Sequence, residues 1–381
     1  MMKLLYILNV ANKVNNFSKA SMMAAKQTGL EFYIAGNWKY KSDEERKADE
    51  VKYGIKIYQV DFYRNPLNLK NIKAYHQIVE IIKNEKIDII HCNTPIGGVV
   101  GRIAGLKCKV KKVIYQAHGF HFYSGAPKIN WFIYYPMERW LAHYTDVLIT
   151  INHEDYTLAQ KLRLKNYGRV CYVPGVGIDT KDFTNVITDS KEIKGSIGLT
   201  EDDIVCISMG DLIPRKNYET SIKAIALCNN TNIHYLICGN GPELEKLKNL
   251  SKKLGIEKQV HFLGFRIDIK ELAKVSDIFL FTTLQEGMPR SMMEAMASGL
   301  PCIASKIRGN VDLLVEGKGG YLVPAKDAEL VAECLRELIN NKSLRKYMGN
   351  ENLSRIKEFE VSVVKKRIKE IYEEVIGERV K

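Results

Sequence analysis

The chain has 381 residues, of which 46% are hydrophobic and 27% are charged, with 27 Gly and 10 Pro. This length predicts two or three domains and excludes a lone small binding module, and the composition excludes a fibrous protein and an intrinsically disordered chain. The formal net charge is +13, and residues 1–179 account for most of it, with 26 Lys and Arg against 15 Asp and Glu (+11), while residues 180–381 hold 31 against 29 (+2). Such a one-sided field favours an anionic partner, although surplus lysines that only maintain solubility would give the same counts.

The apolar residues and the cysteines indicate where the protein works. No run approaches the roughly 18 apolar residues of a membrane-spanning helix, and the start of the chain is too short for the core of a signal peptide. The eight cysteines form no C-x-x-C pair and lie mostly in apolar runs, which is typical of buried, reduced thiols. We therefore expect a cytoplasmic protein with neither a structural zinc nor a disulfide framework, and no cofactor is expected.

The first half alternates short runs of Ile, Val, Leu and Tyr with stretches of helical period, so we predict an α/β fold with parallel strands. The predicted strands cover residues 3–9, 31–35, 55–60, 87–92, 112–117, 146–151 and 170–174. The predicted helices include residues 69–83, 97–105 and 129–143. Residues 180–198 are polar and lack a strong period, and they are predicted to be a linker after a first domain of residues 1–179.

The second half repeats this scheme over residues 199–358, the predicted second domain. Its predicted strands cover residues 204–209, 233–238, 260–263, 278–281, 302–304 and 321–323. In residues 359–381, apolar side chains at helical spacing predict a helix that packs back toward the N-terminal domain. Two doubly wound, Rossmann-like domains in series would face a central cleft, and ligands of such sheets bind outside the carboxyl ends of the strands. Candidate functional residues should therefore follow strand ends.

A glycine turn and two cations follow the first predicted strand of the second half. Gly210 begins the turn, and Arg215 and Lys216 stand near the start of the next helix. Helix-start N–H groups and cations together bind phosphates, so the segment predicts a diphosphate site, although ordinary surface cations would look the same. The turn Gly239-x-Gly241 after the next strand lacks a third glycine and indicates only a tight strand-to-helix connection.

Two glutamates flank the start of another predicted helix. Glu286 precedes Pro289, a favoured first helical residue, and Glu294 should lean back toward the same helix start. Two carboxylates beside helix-start N–H groups suit the binding of sugar hydroxyls next to an anion. Either glutamate alone could instead be a helix cap or a solvated surface residue.

In the first half, His118-Gly119 directly follows the strand at 112–117. At a strand end the imidazole would point into the cleft, where it could meet a reacting group. A lone histidine is more often structural, so this residue gains weight only from its position.

These motifs resemble those of glycosyltransferase family 4, whose members are retaining enzymes with the GT-B fold. The matching residues of the second half are Gly210, Lys216, Gly239-x-Gly241-Pro242-Glu243, Gly264, Asp277, the E-x7-E pair Glu286/Glu294, Gly309 and Gly320-Tyr321-Leu322-Val323. The first half adds Ala117-His118-Gly119 and residues 174–179, so the resemblance covers nearly the whole chain. Residues 115–121 and the aromatic stretch after them are similar to transferases that build capsule, exopolysaccharide or O-antigen repeat units on a lipid carrier.

The resemblance implies a role for each site residue. Glu294 would bind the ribose of the nucleotide, Glu286 the donor sugar and Lys216 the diphosphate, while His118 would lie near the anomeric centre. The predicted catalytic residues are Glu286, Lys216 and His118. The predicted donor site also includes Gly210, Arg215, Gly239, Gly241, Gly264, Phe265, Gly287, Met288, Pro289 and Arg290. The predicted acceptor side consists of Asn9, Asn12, His118 and Gly119. Asp211 departs from the family pattern, in which Arg often follows the glycine, and the first strand lacks the usual glycine-rich loop after it.

The resulting hypothesis is a retaining, metal-independent hexosyl- or N-acetylhexosaminyltransferase. It would move a sugar from a UDP-sugar to a polyprenyl-diphosphate-linked glycan acceptor in surface polysaccharide synthesis. A UDP-sugar 2-epimerase of the same fold is one alternative, and a non-catalytic binder of sugar nucleotides or nucleic acid is another, although we expect no nucleic-acid partner.

An anionic membrane surface is a further predicted partner. Close to Lys128 and Arg139, residues 129–144 include side chains suited to the headgroup boundary, namely Trp131, Phe132, Ile133, Tyr134, Tyr135, Trp140 and Tyr144. A core helix whose aromatic rings fill the first domain is the alternative, since Pro136 interrupts the apolar face. We therefore expect a cytoplasmic, peripheral protein on the inner face of the cell membrane.

Overall fold

The computed structural model describes residues 1–11, 14, 16–63, 65, 68–165 and 168–377. It divides into two compact units, Met1–Gly177 with Val361–Lys381, and Ile178–Glu360. Each unit contains one parallel β-sheet with helices between successive strands. Both sheets have the strand order of doubly wound nucleotide-binding folds, in which the first strand is central. The predicted α/β class is confirmed.

The first unit has a seven-stranded sheet of order β3-β2-β1-β4-β5-β6-β7. Its strands are β1 (Lys3–Val10), β2 (Glu31–Asn37), β3 (Lys56–Gln59), β4 (Ile89–Asn93), β5 (Lys112–Ala117), β6 (Val147–Thr150) and β7 (Arg169–Tyr172). The helices between them are α1 (Asn16–Gln27), α2 (Asp43–Tyr53), α3 (Asn71–Glu85), α4 (Pro95–Lys107), α5 (Lys128–Ala142) and α6 (His153–Ala159). Because core clusters cover both faces of the sheet, β1 reads as a continuous apolar run.

The second unit has a six-stranded sheet of order β10-β9-β8-β11-β12-β13. Its strands are β8 (Ile204–Met209), β9 (Ile233–Cys238), β10 (Val260–Gly264), β11 (Ile278–Phe281), β12 (Cys302–Ser305) and β13 (Gly320–Val323). Its helices are α7 (Lys181–Thr184), α8 (Ser190–Ser196), α9 (Tyr218–Leu227), α10 (Leu244–Lys253), α11 (Ile269–Lys274), α12 (Arg290–Ala297), α13 (Asn310–Leu313), α14 (Ala328–Asn340) and α15 (Lys342–Arg355). All thirteen predicted strands are present, each within two residues of its predicted ends.

The predicted linker was wrong, because residues 180–198 fold onto the second unit as α7 and α8. The Asp189 side chain caps α8 by accepting hydrogen bonds from two backbone N–H groups. The Lys194 ammonium of the same helix donates to the carbonyls of Glu201 and Asp203, and Phe183 of α7 is buried. Two short helices with so few apolar residues leave no periodic signal in the sequence.

After the second unit, the chain returns to the first unit through helix α16 (Val361–Gly377). Its buried side chains are Val364, Ile368, Ile371, Tyr372 and Val375, and they join the core cluster that covers one face of the first sheet. The apolar stripe of this helix therefore completes the core of the first unit.

Helix α5 divides its large side chains between two environments. Trp131, Tyr134 and Tyr135 pack against the core of the first unit. Four others are half exposed or more, with 79% of Phe132 accessible, and they are Ile129, Phe132, Ile133 and Trp140. The packed rings agree with the core-helix alternative for one side of α5, and the membrane contact of the other side stays a prediction. No helix in the described part of the chain is long and apolar enough to span a bilayer.

Candidate functional site

Three glycine-containing loops meet at the carboxyl edge of the second sheet. The Gly210 N–H donates to the carbonyl of Cys238 at 2.9 Å, and the Gly239 N–H donates to the carbonyl of Gly264 at 2.8 Å. A Cβ atom on Gly239 would lie 2.0 Å from the Gly210 oxygen, and one on Gly241 would lie 2.3 Å from the Leu212 oxygen. Both positions therefore require glycine, because the backbones after β8 and β9 touch.

A short 3₁₀ turn, Pro214–Lys216, carries the two predicted phosphate-binding cations. Arg215 Nη1 donates to Glu286 Oε1 at 2.7 Å, and Lys216 Nζ donates to the same oxygen at 2.8 Å. The Thr283 hydroxyl donates to Oε1 as well, at 3.0 Å. The structure thus brings the residues predicted to bind the diphosphate, Arg215 and Lys216, into one cluster with Glu286, which is predicted to bind the sugar. Both cations contact the same carboxylate oxygen.

This cluster keeps a positive surplus in a partly desolvated place. Two cations and one carboxylate leave a formal charge of +1, and only 12% of the Lys216 and Glu286 side chains is exposed. Lys216 Nζ also lies 4.8 Å from the centre of the Phe281 ring, whose negative face attracts a cation. Coulomb attraction for an anion is stronger here than at a fully hydrated surface.

Arg308 holds the backbone of Glu286 through a hydrogen bond. Its guanidinium Nε donates to the Glu286 carbonyl at 3.0 Å, and only 5% of this arginine is exposed. The following turn is just as tight, because a Cβ atom on Gly309 would lie 2.4 Å from the Gly287 oxygen. Gly287 and its largely buried neighbour Met288 lie in the turn that leads into α12.

Glu294 forms an ion pair with a different cation, Arg290. Pro289 precedes α12, and Arg290 in its first turn donates from Nε to Glu294 Oε1 at 2.8 Å. In both glutamates, the contacts within the described part of the chain fall on Oε1 alone, so Oε2 is open to a further donor. Two carboxylates, each held by cations and each with an open oxygen, can accept hydrogen bonds from hydroxyl groups.

Two further residues of this region are exposed. Phe265, just after β10, is 77% exposed, and Asp211 is exposed beside Gly210. Gly264 itself has a φ of 65°, which turns the chain sharply at the end of β10. Phe265 therefore offers an aromatic face at the same sheet edge.

In the first unit, His118 and Gly119 follow β5, and a buried polar network holds the histidine. His118 Nε2 lies 3.1 Å from Asn93 Oδ1, which also accepts a hydrogen bond from the Tyr6 hydroxyl at 3.2 Å. Since an amide oxygen only accepts, Nε2 carries the proton. Burial lowers the pKa of His118 to about 4, so the imidazole is neutral at pH 7. Gly119, with a φ of 129°, lets the chain turn away directly afterwards.

The other predicted acceptor residues lie near the end of β1. Asn9 is the penultimate residue of that strand, and its buried Oδ1 has no hydrogen-bond partner among the residues that the structure describes. Asn12 lies outside the described residues. No three His, Cys, Asp or Glu side chains within the described ranges come together as a metal site.

Sequence reasoning missed several residues of both sites. Asn93 is the last residue of β4 and Arg308 follows β12, so the rule that ligands bind beyond strand ends could have found both. Thr283 also follows its strand. Tyr6 lies in the middle of an apolar strand, where nothing in the sequence marks it as a partner of Asn93.

Comparisons with known proteins agree with this architecture. A family model described as "Glycosyl transferases group 1" matches residues 189–355, and one described as "Glycosyl transferase 4-like" matches residues 21–152. EpsD of Bacillus subtilis, which carries a provisional glycosyltransferase name, is 33% identical over 331 residues, covering 86% of this chain and 84% of its own. The chain belongs to the group 1, family 4-like glycosyltransferases. In this glycosyltransferase the group 1 match spans the whole Arg215, Lys216 and Glu286 cluster.

A second relative has a more specific name. It is the UDP-Gal:alpha-D-GlcNAc-diphosphoundecaprenol alpha-1,3-galactosyltransferase of Escherichia coli, 29% identical over 318 residues and covering 82% of each chain. Among solved structures, HepE of Anabaena in complex with UDP and glucose superposes with a TM-score of 0.79 at 20% identity, over 98% of this chain and 100% of HepE. WaaG, a glycosyltransferase of lipopolysaccharide biosynthesis, superposes with a TM-score of 0.72 at 17% identity, over 97% of this chain and 99% of its own. These likenesses establish the GT-B fold.

Proposed function

We propose that this glycosyltransferase moves a hexosyl or N-acetylhexosaminyl group from a UDP-sugar to a lipid-diphosphate-linked glycan, with retention of configuration and without a metal ion. The observation that carries the proposal is the arrangement of Glu286 and Glu294. Each carboxylate is anchored through Oε1 by one or two cations and has Oε2 open.

A nucleoside diphosphate sugar fits this arrangement group by group. Arg215 and Lys216 supply the positive charge for the diphosphate, because their shared carboxylate neutralises only one of them. Glu286 Oε2 accepts from a hydroxyl of the donor sugar, and Glu294 Oε2 accepts from the ribose. The exposed ring of Phe265 offers a stacking face to the nucleobase.

In the reaction, the bond between the anomeric carbon and the diphosphate oxygen breaks, and a bond to the acceptor oxygen forms on the same face of the sugar. The acceptor hydroxyl passes its proton to an oxygen of the departing diphosphate. Lys216 and Arg215 stabilise the negative charge that develops there, and such preorganised groups lower barriers in partly dry sites. His118 acts as a neutral hydrogen-bonding group, since its low pKa excludes an imidazolium at pH 7.

The names of relatives support the choice of donor and acceptor. The E. coli relative is named for transfer from UDP-Gal to GlcNAc-diphosphoundecaprenol, and a relative from Campylobacter jejuni, 23% identical over 333 residues, is named for an acceptor on diphospho-undecaprenol. HepE is described in complexes with UDP and with UDP-glucose. We assign the same donor and acceptor classes to this chain, in surface polysaccharide synthesis.

A lipid-linked acceptor requires contact with the bilayer, and helix α5 offers a surface for it. We define the α5 outer face as Lys128, Ile129, Phe132, Ile133, Arg139 and Trp140. It combines exposed apolar side chains with two cations, within a half of the chain that carries +11. Each cation near an anionic leaflet adds about 1 kcal/mol of attraction. We propose that this face binds the inner surface of the cell membrane reversibly.

The proposal is tested by incubating the protein with a panel of nucleotide sugars in EDTA, with and without polyprenyl-diphosphate-linked N-acetylglucosamine, and measuring UDP release. Acceptor-dependent release and a product with the donor's anomeric configuration are expected. Epimerisation of the donor without an acceptor would instead identify a 2-epimerase, and no reaction with any donor would point to a non-catalytic binder. An inverted product would disprove retention.

A further inference from the structure

Six polar side chains are buried together among the apolar residues of the first unit, on the face of the sheet that helix α16 covers. We call them the polar core network, and they are Tyr6, Ser21, His91, Asn93, Gln116 and Tyr372. Each is at least nine-tenths buried. Burying a polar group costs free energy unless it has a hydrogen-bond partner, so the partners of these six side chains indicate what the network does.

One end of the network lies on helix α16. The Tyr372 hydroxyl lies 2.7 Å from Nδ1 of His91 on β4, and His91 Nε2 lies 3.2 Å from Gln116 Oε1. An amide oxygen only accepts, so Nε2 carries the proton of the neutral ring and Nδ1 accepts from the Tyr372 hydroxyl. Burial lowers the pKa of His91 to about 3, which keeps this ring neutral.

The other end of the network lies at His118. The Tyr6 hydroxyl donates to Asn93 Oδ1, which is the oxygen that also accepts from His118 Nε2. The rings of Tyr6 and His91 meet edge to face, with centroids 4.9 Å apart and planes 75° apart. Packed polar side chains therefore form a continuous series from α16 to His118.

Helix α1 connects the two tyrosines of the network. The Ser21 side chain lies beside the hydroxyls of both Tyr6 and Tyr372. Because these two hydroxyls already donate to side chains of β4, Ser21 can act toward them only as a donor. This arrangement fixes the direction of both tyrosine hydroxyls.

The sheet itself transmits a shift of His91 to the site. His91 and Asn93 are two residues apart on β4, so their side chains lie on the same face. In the register of β4 and β5, Asn93 lies opposite Gln116, which is two residues before His118. A rotation of the His91 ring would therefore disturb both neighbours that hold His118.

Docking of α16 alone does not account for these contacts. The helix buries four aliphatic side chains on the same face of the sheet, and they are Val364, Ile368, Ile371 and Val375. An apolar side chain at position 372 would extend this stripe without the desolvation of a hydroxyl. Fully satisfied polar networks instead hold their members in one arrangement.

We propose that Tyr372 is a positioning residue for sugar transfer. Through His91 and Asn93, it holds the His118 imidazole in one orientation with the proton on Nε2. The proposal rests on the proposed transferase function, which it deepens by giving the last helix of the chain a part in the reaction.

The test compares two variants of the full-length protein, Tyr372→Phe and Tyr33→Phe. The first removes only a hydroxyl and takes the donor away from His91 Nδ1. The second is the matched control, because Tyr33 is a buried tyrosine of the same sheet whose hydroxyl donates to Glu31 and whose ring belongs to the core cluster on the other face.

¹⁵N NMR of labelled histidine side chains gives the first measurement, since the protonated and unprotonated ring nitrogens have separate shifts. In the wild type, His118 should show a proton on Nε2 alone. Tyr372→Phe should give a mixture of both neutral forms of His118, and Tyr33→Phe should leave its signals unchanged.

Steady-state transfer rates give the second measurement. Tyr372→Phe should lower kcat about three- to tenfold, roughly the effect of one neutral hydrogen bond, and leave the donor KM unchanged. Tyr6→Phe acts later in the same series, so the double variant Tyr6→Phe/Tyr372→Phe should be no slower than Tyr6→Phe alone.

Three results would overturn the assignment. They are wild-type His118 signals in Tyr372→Phe, equal changes in Tyr372→Phe and Tyr33→Phe, and fully additive losses in the double variant. The NMR measurement needs no turnover, so an absence of transfer by the wild type would count against the proposed function, while the His118 signals would still decide whether Tyr372 positions this ring.

Discussion

The two units differ in the charge that surrounds their candidate site residues. The second unit, in the nearly neutral half of the chain, gathers Arg215, Lys216 and Glu286 into a cluster with a positive surplus. The first unit, in the half that carries +11, holds His118 against the neutral amide of Asn93. Among the described cationic side chains of the first unit, Arg102 alone is buried, and Glu138 neutralises it. The net charge of a domain therefore does not predict the charge of its site.

The difference matches the two substrates in the proposal. A diphosphate leaving group needs fixed positive charge, and the second unit provides it at the end of β8. An acceptor hydroxyl has no charge to compensate, and a neutral imidazole suits it. Most described lysines of the first unit lie toward the solvent, and in the membrane proposal they would attract an anionic surface.

Lys216→Ala should have the largest effect on turnover. It removes one of two cations at the developing charge of the leaving group, and loss of one such group lowers kcat about 10²- to 10³-fold. Lys223→Ala is the matched control, because this lysine pairs with Glu219 on the exposed side of α9. If kcat fell equally in Lys216→Ala and Lys223→Ala, or fell in neither, the assignment of Lys216 to the leaving group would be wrong.

The neutrality of His118 can be measured by ¹⁵N NMR. With a pKa lowered by burial from 6.5 to about 4, the imidazole should stay neutral down to about pH 5. Because the unfolded chain binds the proton more tightly, this histidine contributes stability above pH 6.5 that is lost as the pH falls through 4.

Asn93→Asp places a carboxylate where His118 Nε2 now meets an amide oxygen, and it should raise the pKa of His118 toward its ordinary value. Asn93→Ser is the uncharged comparison. An imidazolium already populated in the wild type at pH 6.5 would remove the contrast between the units.

The two glutamates of the second unit should separate binding from turnover. Glu286→Gln disturbs the carboxylate shared by Lys216 and Arg215, and we expect mainly a lower kcat. Glu294→Gln weakens the hydrogen bond to the ribose, and a charge-assisted contact of about 1.5–3 kcal/mol corresponds to a rise in donor KM of roughly ten- to hundredfold. Identical kinetic profiles in both variants would sink the assignment of separate roles.

The smallest effects are expected from a reciprocal pair of exposed phenylalanines, one in each unit. Phe132→Ser should lower binding to anionic vesicles several-fold and leave UDP affinity unchanged, because the residue lies on the α5 outer face. Phe265→Ser should lower UDP affinity several-fold and leave vesicle binding unchanged.

Vesicle sedimentation of the wild type should show binding to anionic and not to neutral lipid, with a decline as salt rises above about 0.15 M. Equal binding to both lipids would remove the electrostatic part of the membrane proposal.

The fold was largely predictable from the sequence, because buried parallel strands are continuous apolar runs between helical stretches. The charged cluster was predictable for a similar reason, since Arg215 and Glu286 follow strand ends and carry family motifs. Residues 180–198 were not, because α7 and α8 are stabilised by caps and single buried side chains. The pairing of Tyr6 with Asn93 was also invisible, since 87 residues separate them and only the sheet register brings them together.

The most direct test of the central claim is calorimetric measurement of UDP binding in EDTA by the wild type, Lys216→Ala and Lys223→Ala. The account predicts saturable, metal-independent binding that Lys216→Ala weakens at least about tenfold, the equivalent of one charge-assisted hydrogen bond, and that Lys223→Ala leaves within about twofold. Binding that requires a divalent metal, or equal UDP affinity in all three proteins, would contradict the claim that the Arg215, Lys216 and Glu286 cluster holds the diphosphate.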